Sequence, residues 1–349
     1  MRNSLFARMT AFPNLLLAFQ RAQRGKRFRP NVSMFSLNVE KELLALQHEL
    51  QSRTYQPGPY RTFYIRDKKL RMISAAPFRD RVVHHALCNI IEPIFERGFL
   101  DDSYACRKGK GTHAAADRAW SHVRRFPYVL KCDISRYFPS IDHDILLAKL
   151  QRRIWDEGVV WLLGSVIDGS NPQPPVLEYF PGDDLFEPSR RKRGLPIGNQ
   201  TSQFFANVYL DDLDHYVREH LKVPGYVRYV DDFLLFHRDK SELQFALKRI
   251  REFCEGIRLR LHPRKCTMSR TQDGVTFLGY RLFPTHRRLD AHNVRRFSRQ
   301  LRCLAAAVGR GSMTEEDARR RVQSWVAHAR HADTKQLRET LLSGVNWAA

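Results

Sequence analysis

Hydrophobic positions recur at helical spacing in several segments of this chain. Residues 37–52 carry leucines among polar residues near the three- to four-residue period of an amphipathic helix. Pro57-Gly58-Pro59 ends this helix, because proline cannot continue the hydrogen-bond ladder. Further helices are predicted for 12–19, 79–97, 112–125, 141–155, 199–220 and 239–256, and the stretch after 285 is predicted to be largely helical.

Alternating apolar and polar residues predict strands between these helices. Residues 60–75 are typical of a β-hairpin with its turn at Asp67-Lys68-Lys69, and 128–134 of a strand that ends on an acid. The other strand predictions are a hairpin with an acidic turn at 226–236 and short strands near 259–261 and at 275–282. Residues 168–194 are rich in Pro, Gly and Asp and are predicted to form an irregular insertion. Because strands and helices mix without a βαβ rhythm, the pattern indicates an α+β fold.

The net charge of the chain narrows the range of possible functions. The 349 residues include 59 Lys and Arg against 37 Asp and Glu, a formal net charge of +22, and 43% of residues are hydrophobic. A globular chain with this excess repels itself unless a polyanion shares its surface, and nucleic acid is the polyanion that fits best. Basic residues concentrate near both ends, with seven in 1–30 and thirteen, against five acids, in 287–338. A generic basic enzyme or an anionic-membrane binder is the alternative on charge alone.

The cysteines and the apolar runs exclude other classes of protein. The six cysteines are widely separated and form no Cys-x-x-Cys, which argues against zinc and redox motifs and predicts reduced thiols in a cytoplasmic protein. No apolar run approaches the ~20 residues of a membrane span, so no membrane partner is predicted. Residues 12–19, followed by basic residues 21–29, predict an amphipathic helix and a basic tail rather than a secretion signal.

Three carboxylates carry the chemistry that the pattern predicts. Asp133 ends a predicted strand, and Asp231 and Asp232 follow about 100 residues later in the acidic hairpin. If the two strands are neighbours in one sheet, Asp133 and Asp231 face each other across two Mg²⁺ ions about 4 Å apart, which suits an in-line phosphoryl transfer. A strand-end cap or a solvated turn is the structural alternative.

Other segments add ligand-binding features. Gly194-Leu195-Pro196-Ile197-Gly198 opens a helix that carries Gln203, and glycine in such a turn lets backbone approach a ligand closely. Lys69 and Arg71 alternate on the first hairpin and could reach one triphosphate, whereas Lys265 follows the second hairpin in a turn. Each of these basic residues taken singly also suits a solvated surface.

In order and spacing, the segments between about 60 and 285 resemble the reverse transcriptases. The resemblance implies a right-hand polymerase with fingers, a palm of ferredoxin-like antiparallel sheet plus helices, and a short helical thumb. The implied domains are a basic N-terminal helical extension (1–59), fingers (60–130), a palm (131–285, with the insertion 168–193) and a basic helical thumb (286–349).

The resemblance also implies residue roles. Asp133, Asp231 and Asp232 match the catalytic aspartates, with Ile134 beside them at the metal site. Asp232 is expected to act through its electrostatic field more than as a direct metal ligand. The implied metal is Mg²⁺, bound as two ions, for which Mn²⁺ can substitute. Lys265 matches the lysine that protonates pyrophosphate. The implied dNTP contacts are Lys69, Arg71, the steric gate Phe138, Ile197, Gly198 and Gln203. The implied nucleic-acid contacts are Arg79, Arg81, Tyr229, the hairpin residues Gly279 and Tyr280, and Arg295, Arg296, Arg299 and Arg302 of the thumb.

Several stretches resemble the diversity-generating retroelement group of bacterial reverse transcriptases. They include Ile197–Gln203, Phe78–Leu87 and Lys110–Ala114. That group implies error-prone copying of a structured template RNA into cDNA, dNTPs as substrates, and a small basic helical accessory protein. About 65 residues follow the palm, so group II intron proteins with their additional domains are set aside on length. The alternatives are an anti-phage defence reverse transcriptase, which uses a non-coding RNA and can make repetitive or untemplated DNA, and a non-catalytic RNA-binding scaffold. A second reverse transcriptase is the other candidate partner, and the chain could oligomerise.

Overall fold

The computed structural model of the protein describes residues 4–66, 70–174 and 176–343. The helices are α1 (Leu5–Thr10), α2 (Phe12–Ala22), α3 (Pro30–Leu37), α4 (Val39–Gln51), α5 (Phe78–Glu96), α6 (Thr112–Arg125), α7 (Tyr137–Ser140), α8 (His143–Gln151), α9 (Glu157–Asp168), α10 (Glu187–Arg190), α11 (Gln200–His215), α12 (Lys240–Gly256), α13 (Ala291–Gly309), α14 (Glu315–Ala329) and α15 (Lys335–Ser343). Of the helices described here, none has the length and apolar character that a membrane crossing requires.

Antiparallel sheets accompany the helices. The strands are β1 (Arg61–Arg66), β2 (Leu70–Ala75), β3 (Tyr128–Asp133), β4 (Gly225–Tyr229), β5 (Asp232–His237), β6 (Thr267–Arg270), β7 (Val275–Phe277), β8 (Tyr280–Leu282) and β9 (Arg287–Leu289). β1 and β2 form one hairpin, the central sheet has the order β4-β5-β3-β6, and β7-β8-β9 form a third sheet. The mixture of helices with antiparallel strands confirms the predicted α+β class.

The chain divides into two compact units, each built from three stretches. The first unit comprises the described residues of Met1–Asp101, Asp133–Tyr216 and Lys248–Pro263. The second unit comprises those of Asp102–Cys132, Val217–Leu247 and Arg264–Ala349. The two units are interleaved along the chain, whereas the fingers, palm and thumb predicted above follow one another in sequence; those boundaries stay a prediction.

Helix α5 is the centre of the first unit. It packs against α1, α2, α3 and α11. Because it is covered on several sides, it buries apolar residues around most of its circumference rather than along one stripe, including Val82, Val83, Leu87 and Ile91. The amphipathic helix predicted near 12–19 is α2, which buries Leu15, Ala18 and Phe19.

The central sheet and α6 form the core of the second unit. Val227, Leu234 and Phe236 of the β4-β5 hairpin pack in one apolar cluster with residues of α6 such as Ala119 and Val123. A second cluster joins Phe297, Leu301 and Leu304 of α13 to Ala318 and Val322 of α14. The buried hairpin strands are thus held rigidly, which matters for any chemistry at their turn.

Most predicted elements are confirmed, and three differ. The strand predicted near 259–261 is wrong: only Leu261 makes an isolated bridge, to Ile134, and the strand lies at β6 instead. Residues 275–282 form two strands, because Leu278 (φ +49°) and Gly279 (φ +87°) reverse the chain between them. The helix predicted for 141–155 is shortened at both ends to α8, whose start is fixed by the Asp142 side chain that caps its first turn.

The insertion 168–193 is irregular, as predicted, yet it is firmly anchored in the first unit. Arg191 near its end has only 2% of its side chain exposed and pairs with Asp183 and with Asp142, which lies 3.5 Å from its Nε. Arg258 also donates to Asp142, at 2.8 Å. Since Asp142 is fully buried, these arginines neutralise a carboxylate that would otherwise be costly to bury.

Buried histidines predict a loss of stability in mild acid. Burial is the largest cause that lowers the pKa of His84 to about 3 and the pKa values of His85 and His122 to about 4, and nearby cationic groups add to it. Below pH ~6.5 the unfolded chain therefore binds protons that the fold does not. These groups cost nothing near pH 7.5, and the free energy of unfolding falls as pH drops from about 6.5 towards 4, by about 2 kcal/mol at pH 5 for each histidine that stays neutral.

Urea denaturation at pH 7.5 and pH 5 measures this loss. His122→Phe is the informative variant, because the His122 ring stacks on Phe236 at 5.3 Å and phenylalanine keeps the ring without the proton. The variant should lose less stability between the two pH values than the unmodified protein. An equal loss in both would exclude His122 as a source.

Candidate active site

The acidic hairpin closes with a two-residue turn. Tyr229 of β4 pairs with Asp232 of β5, so the loop consists of only Val230 and Asp231. Val230 has φ +57°, the left-handed region that β-branched residues avoid. A positive φ at the first residue of a two-residue loop is typical of a type II′ turn, which normally takes glycine there. The turn that carries Asp231 is therefore strained, and strain of this kind is concentrated at functional sites.

Asp133 lies at the end of the strand next to this hairpin. β3 is the neighbour of β5 in the central sheet and ends on Asp133. Nζ of Lys131 lies 3.3 Å from Oδ2 of Asp232, so the last part of β3 runs beside the start of β5. Residues two apart in a strand share a face, which puts Asp133 on the same face of β3 as Lys131. The predicted adjacency of the two strands is therefore confirmed.

The donor chemistry of these residues suits a hard divalent cation. Asp133, Asp231 and Asp232 offer carboxylate oxygens, the ligands that Mg²⁺ prefers together with water and substrate phosphates. Within the described residues, no three or more His, Cys, Asp or Glu side chains are grouped so that they could hold a metal ion.

Hydrogen bonds to backbone carbonyls hold the segment around Phe138 in place. The N–H of Leu195 donates to the Phe138 carbonyl at 2.9 Å, and the N–H of Gly194 donates to that of Ile141 at 2.8 Å. Next to Phe138, the Tyr137 hydroxyl donates to the Ala206 carbonyl at 2.5 Å. The predicted gate residue and the predicted glycine turn are therefore joined by backbone hydrogen bonds, with the Phe138 ring half-buried.

The turn at Ile197 and Gly198 lies against the first hairpin. The N–H of Ser74 on β2 donates to the Ile197 carbonyl at 3.1 Å. Gly198 has φ +126°, and a Cβ there would come within 3.3 Å of the Ser74 carbonyl, so only glycine fits without strain. Arg71 on β2 and Gln203 on α11 are exposed, whereas Lys69 lies outside the described residues.

A basic cavity of about 750 Å³ opens beside the first hairpin. Its lining includes Arg29, Arg61 and Arg81 together with the half-exposed ring of Phe63. Burial, Arg81 and Arg29 all lower the pKa of Lys26, so the cations in this region repel one another. Such a cavity combines phosphate-binding groups with an aromatic surface on which a base can stack.

The predicted nucleic-acid contacts differ in exposure. Arg295, Arg296, Arg299 and Arg302 are all exposed on α13, opposite the face that packs on α14. Arg81 lines the basic cavity, whereas Arg79 pairs with Glu49. The Tyr280 side chain is fully buried, and its hydroxyl bonds to the Nδ1 atoms of His113 and His328 at 3.1 and 3.0 Å. Tyr280 therefore supports the β7-β8 turn, where Gly279 lies, rather than presenting its ring to a ligand.

Residues near the turn include three that sequence reasoning missed. Lys131 pairs with Asp232, and the Thr112 hydroxyl at the start of α6 donates to the Tyr229 hydroxyl at 3.2 Å. Arg228, which directly precedes Tyr229, is fully buried. An arginine within an otherwise apolar strand is the one signal that could have marked it. Lys265 lies half-exposed in the turn before β6, which agrees with its predicted turn position.

Comparison with known proteins agrees with this geometry. The family model described as reverse transcriptase (RNA-dependent DNA polymerase) matches residues 65–282. Protein YkfC of Escherichia coli is 28% identical over 295 residues, which cover 72% of this chain and 74% of YkfC. The group II intron-encoded protein LtrA of Lactococcus lactis is 26% identical over 218 residues, but the match covers 60% of this chain and only 34% of LtrA.

A solved structure supports the fold. Apo telomerase from Candida tropicalis superposes with a TM-score of 0.50 at 10% identity, covering 66% of this chain and 48% of that one. The relatives thus include a group II intron-encoded protein, from the class that was set aside above on length. The match over residues 65–282 includes Asp133, the glycine turn and the acidic hairpin, and the chain belongs to the reverse transcriptase family of RNA-dependent DNA polymerases.

Proposed function

We propose that this chain copies a dedicated structured RNA into cDNA as the polymerase of an error-prone, diversity-generating type of retroelement. The observation that carries the polymerase part is the central sheet, in which β3 ends on Asp133 beside the strand that begins at Asp232. The motif resemblance at Ile197–Gln203 supports the finer assignment.

The chain's own residues would divide the work of nucleotide addition. Asp133 and Asp231 would hold two Mg²⁺ ions, which stabilise the charge on the attacking 3′-oxygen and on the leaving pyrophosphate. Asp232, already paired with Lys131, would act through its field. Lys69 and Arg71 would bind the triphosphate, Lys265 would donate a proton to pyrophosphate, and Phe138 would exclude a ribose 2′-hydroxyl. Mn²⁺ would substitute for Mg²⁺.

Basic surfaces in each unit would bind the nucleic acid. The basic cavity in the first unit suits a single-stranded segment, because arginines can contact phosphates while Phe63 stacks on a base. The exposed arginines of α13 suit the backbone of a duplex, with sequence-independent and salt-sensitive contacts. A small basic helical protein would be the accessory partner, in a bacterial cytoplasm.

A second candidate is a role with an intron RNA. It is favoured by the relatives named as a group II intron-encoded protein and as nuclear intron maturases of Arabidopsis thaliana. Defence against phage with a non-coding RNA is the alternative retained from the sequence.

Sequencing the DNA made by the purified protein tests the proposal. The protein is incubated with the RNA that co-purifies with it, dNTPs and Mg²⁺. We expect cDNA that follows the RNA and carries substitutions concentrated opposite template adenines. Faithful copies of an intron RNA would favour the second candidate, and repetitive or untemplated DNA would favour defence. If no DNA forms with Mg²⁺ or Mn²⁺, even with candidate partners added, a non-catalytic RNA-binding scaffold replaces the proposal.

A further inference from the structure

The strained turn at Val230 requires stabilising contacts from its surroundings. A two-residue loop with φ +57° at a β-branched residue is disfavoured by the local sterics of the backbone. Left to itself, the turn would relax and move Asp231, which follows directly. Sparsely populated backbone conformations persist only where surrounding contacts over-determine them.

Arg228 makes such a contact. Its Nη1 donates to the Val230 carbonyl at 3.1 Å, although the two residues lie on either side of Tyr229 in the chain. The Arg228 side chain is fully buried, so the guanidinium has little freedom to leave this carbonyl. Because a buried guanidinium is not accessible to a phosphate, a direct role in binding nucleic acid is excluded for Arg228.

The backbone of Arg228 is itself fixed. Its N–H donates to the Asp102 carbonyl at 2.8 Å, and its carbonyl accepts from the N–H of Tyr104 at 3.0 Å. These bonds form a short bridge in which Ser103 pairs with Arg228 along the outer edge of β4. The guanidinium therefore extends from a rigid anchor, and the carbonyl that it holds belongs to the residue that directly precedes Asp231.

We infer that Arg228 is a positioning residue that holds Val230 in its left-handed conformation and thereby aims the Asp231 carboxylate. The inference rests on the proposed function of Asp231 as a metal-binding aspartate. In this role Arg228 touches neither substrate nor metal and acts through the Val230 carbonyl. Arginine suits the position because its planar guanidinium presents several donors in a fixed geometry, which the single ammonium of lysine does not.

Arg228→Met is the first variant, since methionine fills much of the space without a donor. We expect kcat for DNA synthesis to fall by about 10- to 100-fold, the scale of loss from a small misplacement of a reacting group. KM for dNTP and the affinity for RNA should change much less, because their proposed contacts lie elsewhere. Arg228→Lys should recover only part of kcat.

Val230→Gly in the Arg228→Met background separates positioning from general structural support. Glycine adopts φ +57° without strain, so the double variant should regain most of the lost kcat. The matched control is Arg53→Gly, which removes a side chain from another left-handed residue (φ +57°) that is exposed on the protein surface and should not restore kcat. Failure of Val230→Gly to raise kcat in folded Arg228→Met would overturn the inference.

Stability gives a readout that does not depend on activity. In urea denaturation, Val230→Gly should recover more stability in the Arg228→Met background than it provides in the unmodified protein, because the two residues are coupled. Additive effects would overturn the inference. If the unmodified protein makes no DNA with Mg²⁺ or Mn²⁺, the proposed function fails, and this cycle still decides whether Arg228 holds Val230.

Discussion

Asp231→Asn should abolish DNA synthesis, with the rate of nucleotide addition falling at least about 10³-fold. Asparagine keeps the size and the hydrogen-bonding reach of the side chain but removes the negative charge that a Mg²⁺ ion needs. The turn that presents residue 231 is held within a buried hairpin, and the neighbouring carboxylate of Asp232 is already paired with Lys131. Primer extension on an RNA template, followed as single nucleotide addition, measures the loss.

RNA affinity should stay unchanged in this variant, because the proposed nucleic-acid contacts are the basic cavity and the arginines of α13. Asp168→Asn is the matched control: it makes the same chemical change at an exposed carboxylate whose partner is Lys192, 3.1 Å away. The control should polymerise normally. Synthesis by Asp231→Asn at a near-normal rate would remove Asp231 from the site and, with it, the proposed metal centre.

Phe138→Ala should admit ribonucleotides. The backbone that carries the half-buried ring is fixed by the hydrogen bond from the N–H of Leu195 to the Phe138 carbonyl, so removing the ring leaves space rather than shifting the segment. A 2′-hydroxyl that collides with phenylalanine would then fit, and we expect the preference for dNTP over rNTP to fall by about 100-fold. Competition between the two nucleotides in single-addition reactions gives this ratio.

Phe245→Ala provides the comparison, because it removes a ring that is 57% exposed on α12. Its sugar selection should match that of the unmodified protein. If Phe138→Ala folds, polymerises and still rejects ribonucleotides, another residue is the gate.

How much of this site can be predicted from the sequence depends on how local each signal is. The acidic hairpin could be predicted because apolar strand residues flank Asp231 and Asp232 within one short stretch. That β3 lies beside β5 could be expected only through the resemblance to reverse transcriptases, since the pairing is long-range. The contacts of Lys131 with Asp232 and of Arg228 with the Val230 carbonyl depend on side-chain directions and backbone angles that no periodicity encodes.

The wrong predictions of secondary structure have similar causes. Residues 259–261 have the apolar content of a strand but pair only through Leu261, and pairing is decided by distant residues. The division of 275–282 into two strands depends on left-handed backbone at Leu278 and Gly279. Helix α9 is not among the predicted elements, although the Asp156 side chain caps it by accepting from the N–H groups of Gly158 and Val159.

The interleaving of the two compact units has a consequence for how the protein is made. Each unit is assembled from three separate stretches, and the first is complete only when Pro263 has left the ribosome. Neither unit can fold to completion as a continuous nascent segment, so long-range contacts must wait while apolar strands such as β3 remain without their sheet partners. We therefore expect synthesis at a reduced rate or with chaperones to raise the yield of active protein. We expect any one uninterrupted stretch of either unit, expressed alone, not to fold.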